Sequence, residues 1–128
     1  MLVDKTGTHI ITHHGNSVSG IKPEELEAML HHLDGLVRGY VIGRKGVVFT
    51  IRDILGGDNF VWTGTPLQRL YEIYDEAGYS EEDCIKCAGQ AAGRLLKRVI
   101  IEIDGMTFEL HEAVDGRVNG YAWRGDHN

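Results

Sequence analysis

The sequence contains few of the features that mark secreted or membrane proteins. Only two cysteines and two prolines occur in 128 residues. Cysteines three positions apart, at Cys84 and Cys87, cannot cross-link distant parts of the chain, so we expect a reducing, cytoplasmic compartment. The sequence has no apolar run of about eighteen residues, so we expect no membrane span. It has no basic start followed by an apolar stretch, so we expect no secretion signal.

The sequence also lacks an excess of positive charge. The formal net charge is −6, which opposes a broad basic surface of the kind that supplies most non-specific affinity for nucleic acid. Hydrophobic residues make up 42% of the chain and charged residues 25%, close to the averages for globular proteins. We therefore expect residues 1–128 to form a single globular domain, with a polar tail after about residue 123.

Three segments have the periodicity and end signals of helices. The first, 23–35, begins with a proline at its first position and carries leucines and a methionine at helical spacing. The second, 66–77, follows a threonine that is a typical N-cap residue, and the third, 81–97, follows Ser80 in the same role.

The remaining apolar runs predict β-strands. Turns at 43–46 and at Asp104–Gly105 favour two hairpins. Together the patterns predict an α+β fold, an antiparallel sheet packed by about three helices, in the order β-α-β-β-α-α-β-β-β. The strands of that order are Thr8–Thr12, Val37–Ile42, Val47–Ile51, Val99–Ile103, Met106–Leu110 and Gly120–Trp123.

The stretch DCIKCAG raises the question of a metal or redox site. Two thiolates spaced this way can bind zinc when two further ligands converge on them, and the chain has seven histidines. A second pair with recognised spacing is missing, however, and the acidic residues before Cys84 disfavour a thiolate. We therefore interpret both cysteines as structural and assign no metal and no cofactor; a small metal-dependent enzyme is the weakest of three hypotheses.

No complete catalytic constellation is present. The segment from Gly15 to Ser19 resembles a nucleophile elbow but lacks its second glycine, so we assign no catalytic residue. Small polar residues between a strand and a helix are typical of turns.

Gly89 and Gly93 lie inside the third predicted helix, where each glycine costs up to about 1 kcal/mol relative to alanine. Such a cost indicates close approach of another element or another subunit. Phe60 and Trp62, in a short predicted strand, add aromatic surface. The leading hypothesis is a non-enzymatic interaction module that binds a protein partner or itself, as a two-fold dimer, through these four residues.

The alternative is a winged-helix-like nucleic-acid binder. The second and third helices followed by the predicted hairpin over 99–110 have the required order, and Arg94, Lys97 and Arg98 are the residues that would contact phosphate. The acidic first turn of the third helix would repel DNA, so nucleic acid is not the expected partner.

Overall fold

The computed structural model describes residues 1–13, 18–55, 62–115 and 118–126. It confirms the α+β class but not the predicted order of elements, because the described residues contain four helices and five strands. In chain order these are β1 (Leu2–Val3), β2 (Ile10–Ile11), α1 (Pro23–Tyr40), β3 (Val48–Phe49), α2 (Ile51–Ile54), α3 (Gln68–Glu76), α4 (Glu81–Glu102), β4 (Met106–Asp115) and β5 (Val118–Asp126).

The five strands form one sheet in the order β2-β1-β4-β5-β3. All neighbouring pairs are antiparallel except β1 and β4, which run parallel with Leu2 opposite Phe108. The prediction of a purely antiparallel sheet is therefore wrong. The chain passes through all four helices between β1 and β4, and such a long crossover allows two strands to lie parallel.

Helix α1 extends past Gly35, where the sequence predicted its end. The buried stripe formed by Met29 and Leu33 continues to Val37 at the same spacing of four residues, so helical packing outweighs the cost of the glycine. The strand predicted over Val37–Ile42 is consequently wrong: this segment forms the last turn of α1 and the turn that follows it.

Helix α4 begins where the sequence predicted, since the Asp83 amide donates a hydrogen bond to Ser80 Oγ at 3.2 Å. It ends five residues later than predicted, at Glu102. Val99 and Ile100 are both buried in this last part of the helix. The strand predicted over Val99–Ile103 is therefore wrong, because 99–102 belong to α4. Asp104–Gly105 therefore joins α4 to β4, and the hairpin that follows α4 is β4–β5.

A single hydrophobic core joins the helices to the sheet. Phe49 and Phe108 meet edge to face in it, with ring centroids 6.1 Å apart. The buried face of α4 contains Cys84, Ala88, Ala91 and Ala92, and their small side chains let α1 and α3 pack closely against this helix.

Strand β5 extends to Asp126, so the polar tail predicted after about residue 123 is wrong for 124–126: Gly125 and Asp126 pair with Thr107 and Met106 of β4. Within the described residues, no helix is both long enough and apolar enough to cross a membrane.

Candidate functional site

A groove of about 850 Å³ runs along α4 beside its core-facing stripe. Helix α4 bounds it from Glu82 to Lys97, the start of α2 contributes Ile51 and Arg52, and β5 contributes Val118, Asn119 and Tyr121. We call this feature the α4 groove. It forms because α2 and the first residues of β5 meet the same face of α4, an arrangement set by the pairing of β3 with β5.

The floor of the α4 groove is apolar. Ile51, Leu96 and Tyr121 line it and are at most 5% exposed. Burial raises the pKa of Tyr121 well above its usual range, and a hydrogen bond with the Asn119 side chain only partly offsets this effect. At the wall, Ile85 is 39% exposed.

Both glycines that the sequence analysis singled out line the α4 groove. A Cβ placed on Gly93 would meet no atom of the described chain within 4 Å. Packing against the described residues therefore does not explain Gly93, and none of them fills the space beside it.

The rim of the α4 groove is basic although the protein as a whole is acidic. Arg52, Lys86, Arg94 and Lys97 line it, against one carboxylate, Glu82. Cations are thus concentrated at one place on a chain whose net charge is −6.

Three of these cations have no partner within the part of the chain that the structure describes. No hydrogen bond or ion pair joins Lys86, Arg94 or Lys97 to a described neighbour, and Arg94 Nε is buried without an acceptor. A buried N–H group without a partner costs free energy, so its presence calls for an explanation.

Three arginines elsewhere on the surface are paired with carboxylates of the described chain. Arg38 Nε lies 2.6 Å from Asp34, Arg69 Nε lies 3.0 Å from Glu25, and Arg98 Nε lies 3.4 Å from Glu102. Lys86, Arg94 and Lys97 differ from these three arginines in having no such carboxylate among the described residues.

The structure separates the predicted site residues into three groups. Gly89, Gly93, Arg94 and Lys97 lie together in the α4 groove, so residues from two competing hypotheses share one surface. Trp62 is only 6% exposed and belongs to the core, and Arg98 is paired with Glu102. Phe60 lies outside the described residues.

The sequence did not predict that Lys86, Arg52 and residues of β5 line this groove. Lys86, Gln90, Gly93 and Lys97 recur at spacings of four, three and four residues, a helical stripe that could have been read directly. Arg52 and Tyr121 reach the groove only through long-range strand pairing, for which the sequence carries no local signal.

The cysteines do not form a site with the histidines of the described chain. Cys84 is buried and its Sγ lies 3.6 Å from the carbonyl oxygen of Tyr79. Burial, followed by nearby acidic groups, raises the pKa of the Cys84 thiol, which disfavours the thiolate that metals and disulfide exchange require. Within the described residues, no three His, Cys, Asp or Glu side chains converge in a way that could hold a metal ion.

The order of elements that a helix-turn-helix with a wing requires is present. Helices α3 and α4 are joined by residues 77–80, and the β4–β5 hairpin follows α4. The first turn of α4, however, carries three exposed carboxylates, Glu81, Glu82 and Asp83.

Comparisons of the chain with protein-family models, with curated proteins and with solved structures find no match.

Proposed function

We propose that the protein is a non-enzymatic interaction module whose α4 groove binds an acidic, partly apolar segment of a protein partner. The observation that carries the proposal is a set of three cations, Lys86, Arg94 and Lys97, that lie above an apolar floor and have no partner among the described residues. Apolar anchors in such a floor supply affinity, and complementary charge supplies specificity and fast association.

The dimensions of the α4 groove suit a short segment. From Lys86 to Lys97 the helix rises about 16 Å at 1.5 Å per residue. About five residues of extended chain, or three turns of helix, span that distance. A peptide of about twelve residues is therefore long enough to test the proposal.

One observation favours a protein segment over nucleic acid. The groove floor is apolar, because Ile51, Leu96 and Tyr121 line it and are nearly fully buried. Nucleic-acid contacts are dominated instead by phosphate neutralisation across a wider basic surface.

Self-association is a second form of the same proposal. In a two-fold dimer the same patch meets itself, so a dimer formed through Gly93 would bring Arg94 and Lys97 of both copies together. This like-charge contact makes a separate acidic partner the better occupant of the groove.

A cytoplasmic location is part of the proposal, and the two free cysteines support it.

The experiment is selection of random dodecapeptides displayed on phage against the folded full chain, followed by titration of the enriched peptides. We expect enriched sequences to combine Asp or Glu with apolar residues. Arg94→Gln should weaken their binding by about tenfold or more, because a charge-assisted contact is lost.

Arg98→Gln is the matched control. It removes the same charge one turn along the same helix, at a residue already paired with Glu102, and should leave peptide binding within about twofold of wild type. The absence of any enriched acidic sequence, or equal effects of the two variants, would contradict the proposal.

The winged-helix alternative is favoured by one observation, the order α3, α4 and then the β4–β5 hairpin. It predicts tight binding to duplex DNA that weakens as salt is raised and when Arg94 and Lys97 are neutralised together. We expect instead no binding tighter than about 10⁻⁴ M to random duplex DNA at physiological salt.

A further inference from the structure

We infer that Arg94 is the residue that anchors the partner, by binding one Asp or Glu side-chain carboxylate of the segment through both Nε–H and a terminal N–H. The inference rests on the proposed function of the α4 groove and adds the chemical group that the groove recognises. It also distinguishes Arg94 from the lysines beside it.

The state of the guanidinium group carries the inference. Arg94 lines the groove, yet its Nε is buried and finds no acceptor in the described chain. Nearly all buried N–H groups in folded proteins are paired. Because Arg94 Nε has no acceptor among the described residues, we expect it to pair with a ligand once rotation of the side chain exposes it to the groove.

The geometry of arginine selects the ligand chemistry. Nε–H and one terminal N–H point in parallel directions along one edge of the guanidinium plane, which matches the two oxygens of a carboxylate. Lysine supplies the same charge but no parallel pair of donors. Lys86 and Lys97 therefore add attraction along the groove, whereas Arg94 requires a planar, two-oxygen acceptor.

The position of Arg94 fits an anchor. Gly93, the preceding residue, presents no side chain, and a Cβ there would meet nothing within 4 Å in the described chain. A partner backbone can thus approach α4 closely at this turn. Close approach brings a short acidic side chain within reach of the guanidinium group after rotation of the arginine side chain.

The decisive test uses the selected dodecapeptide as a synthetic C-terminal amide, so that the only carboxylates are those of its Asp and Glu residues. Calorimetric titration compares wild type with Arg94→Lys and with Lys97→Arg. We expect Arg94→Lys to lose about tenfold or more in affinity although the charge is kept, and Lys97→Arg to stay within about threefold.

A spectroscopic readout tests the contact itself. The ¹H–¹⁵N signal of Arg94 Nε should move downfield when the peptide is added, and should not move with an isosteric peptide in which each Asp is replaced by Asn and each Glu by Gln. Arg94→Met, which keeps much of the aliphatic stem but removes the unpaired donor, should raise the melting temperature of the free protein by about 3 °C or more.

The outcomes separate the inference from the proposed function. Acidic peptides that bind wild type and Arg94→Lys equally, with an unmoved Nε signal, would overturn the anchor and leave the groove as the binding site. A wild-type protein that binds no acidic peptide would end the proposed function and this inference with it. A lower melting temperature for Arg94→Met would contradict the cost assigned to the unpaired donor.

Discussion

Gly93 in α4 and Gly35 in α1 have equivalent local surroundings, because a Cβ added to either would meet no atom of the described chain within 4 Å. Both lie inside long helices, and only Gly93 lines a groove. The pair therefore separates the effect of filling the groove from the effect of changing a helical glycine.

Gly93→Leu should abolish peptide binding while the fold is kept, because a Cβ at Gly93 meets no described neighbour and the leucine side chain would extend from it into the groove. Gly35→Leu should leave binding unchanged. Both substitutions should raise the free energy of unfolding by up to about 1 kcal/mol, since glycine is a poor helix former. Chemical denaturation and peptide titration measure the two effects; loss of stability in Gly93→Leu would show that Gly93 packs inside the chain.

The end of α4 gives a second prediction. Ile100 is fully buried and Ile101 is only partly buried, whereas a strand over Val99–Ile103 would place Ile101 in the core and Ile100 outside. Ile100→Ala should therefore cost about 2–5 kcal/mol of unfolding free energy, and Ile101→Ala clearly less. Urea denaturation of both variants decides between the helix and the strand.

These two isoleucines also show where prediction from sequence fails. Local signals were sufficient for the start of α4, because Ser80 is a good N-cap residue. They were insufficient for its end, because a run of β-branched residues at 99–101 suits a strand as well as a buried helix. The helix prevails because Val99 and Ile100 continue its buried stripe.

For the candidate site, the sequence indicated four residues of α4, Gly89, Gly93, Arg94 and Lys97, but under two separate hypotheses, and Lys86 on the same helix was missed. The residues that meet α4 from other elements were not predicted. Tyr121 reaches the same groove only because Phe49 pairs with it across β3 and β5, and such pairing is set by the whole fold.

The third prediction concerns the cysteines. Cys84→Ala should lower the free energy of unfolding by about 1–2 kcal/mol, because Cys84 is fully buried in the core-facing stripe of α4. Cys87→Ala should cost less, since Cys87 is half-buried. Thermal unfolding of both variants, with metal analysis of wild type, tests this; stoichiometric zinc, with unfolding by a chelator, would contradict the structural role.

The fourth prediction is a pH dependence at the β1–β2 turn. Burial works against ionised Asp4, but hydrogen bonds from His9, Thr6 and backbone amides outweigh it and hold the pKa of Asp4 well below its usual range. His9 Nδ1 lies 2.9 Å from Asp4 Oδ2. A carboxyl group whose folded pKa is depressed stabilises the fold above its unfolded pKa of about 4, and this contribution is lost as the pH falls further.

Asp4→Ala should therefore melt at a lower temperature than wild type at pH 7, and the difference should shrink as the pH falls below about 4. Asp126→Ala is the control, since it removes a carboxylate at the exposed end of β5. A difference between Asp4→Ala and wild type that stays constant down to acid pH would show that the carboxylate charge has no part in holding this turn.

The last prediction uses salt to distinguish the two occupants of the α4 groove. An acidic segment is attracted by Lys86, Arg94 and Lys97, so its dissociation constant should rise about fivefold or more between 0.1 M and 1 M NaCl, where the screening length falls from about 10 Å to about 3 Å. A two-fold dimer through Gly93 would place Arg94 and Lys97 of one copy next to the same residues of the other copy. Salt screens this repulsion, so the dissociation constant of the dimer should fall over the same range.

Sedimentation equilibrium of the free protein measures the salt dependence of dimerisation, and titration of the peptide measures that of peptide binding, each at both salt concentrations. Dimerisation that weakens with salt would mean that acidic residues of one copy occupy the groove of the next, whereas peptide binding that is indifferent to salt would remove the charge complementarity on which the proposed function depends.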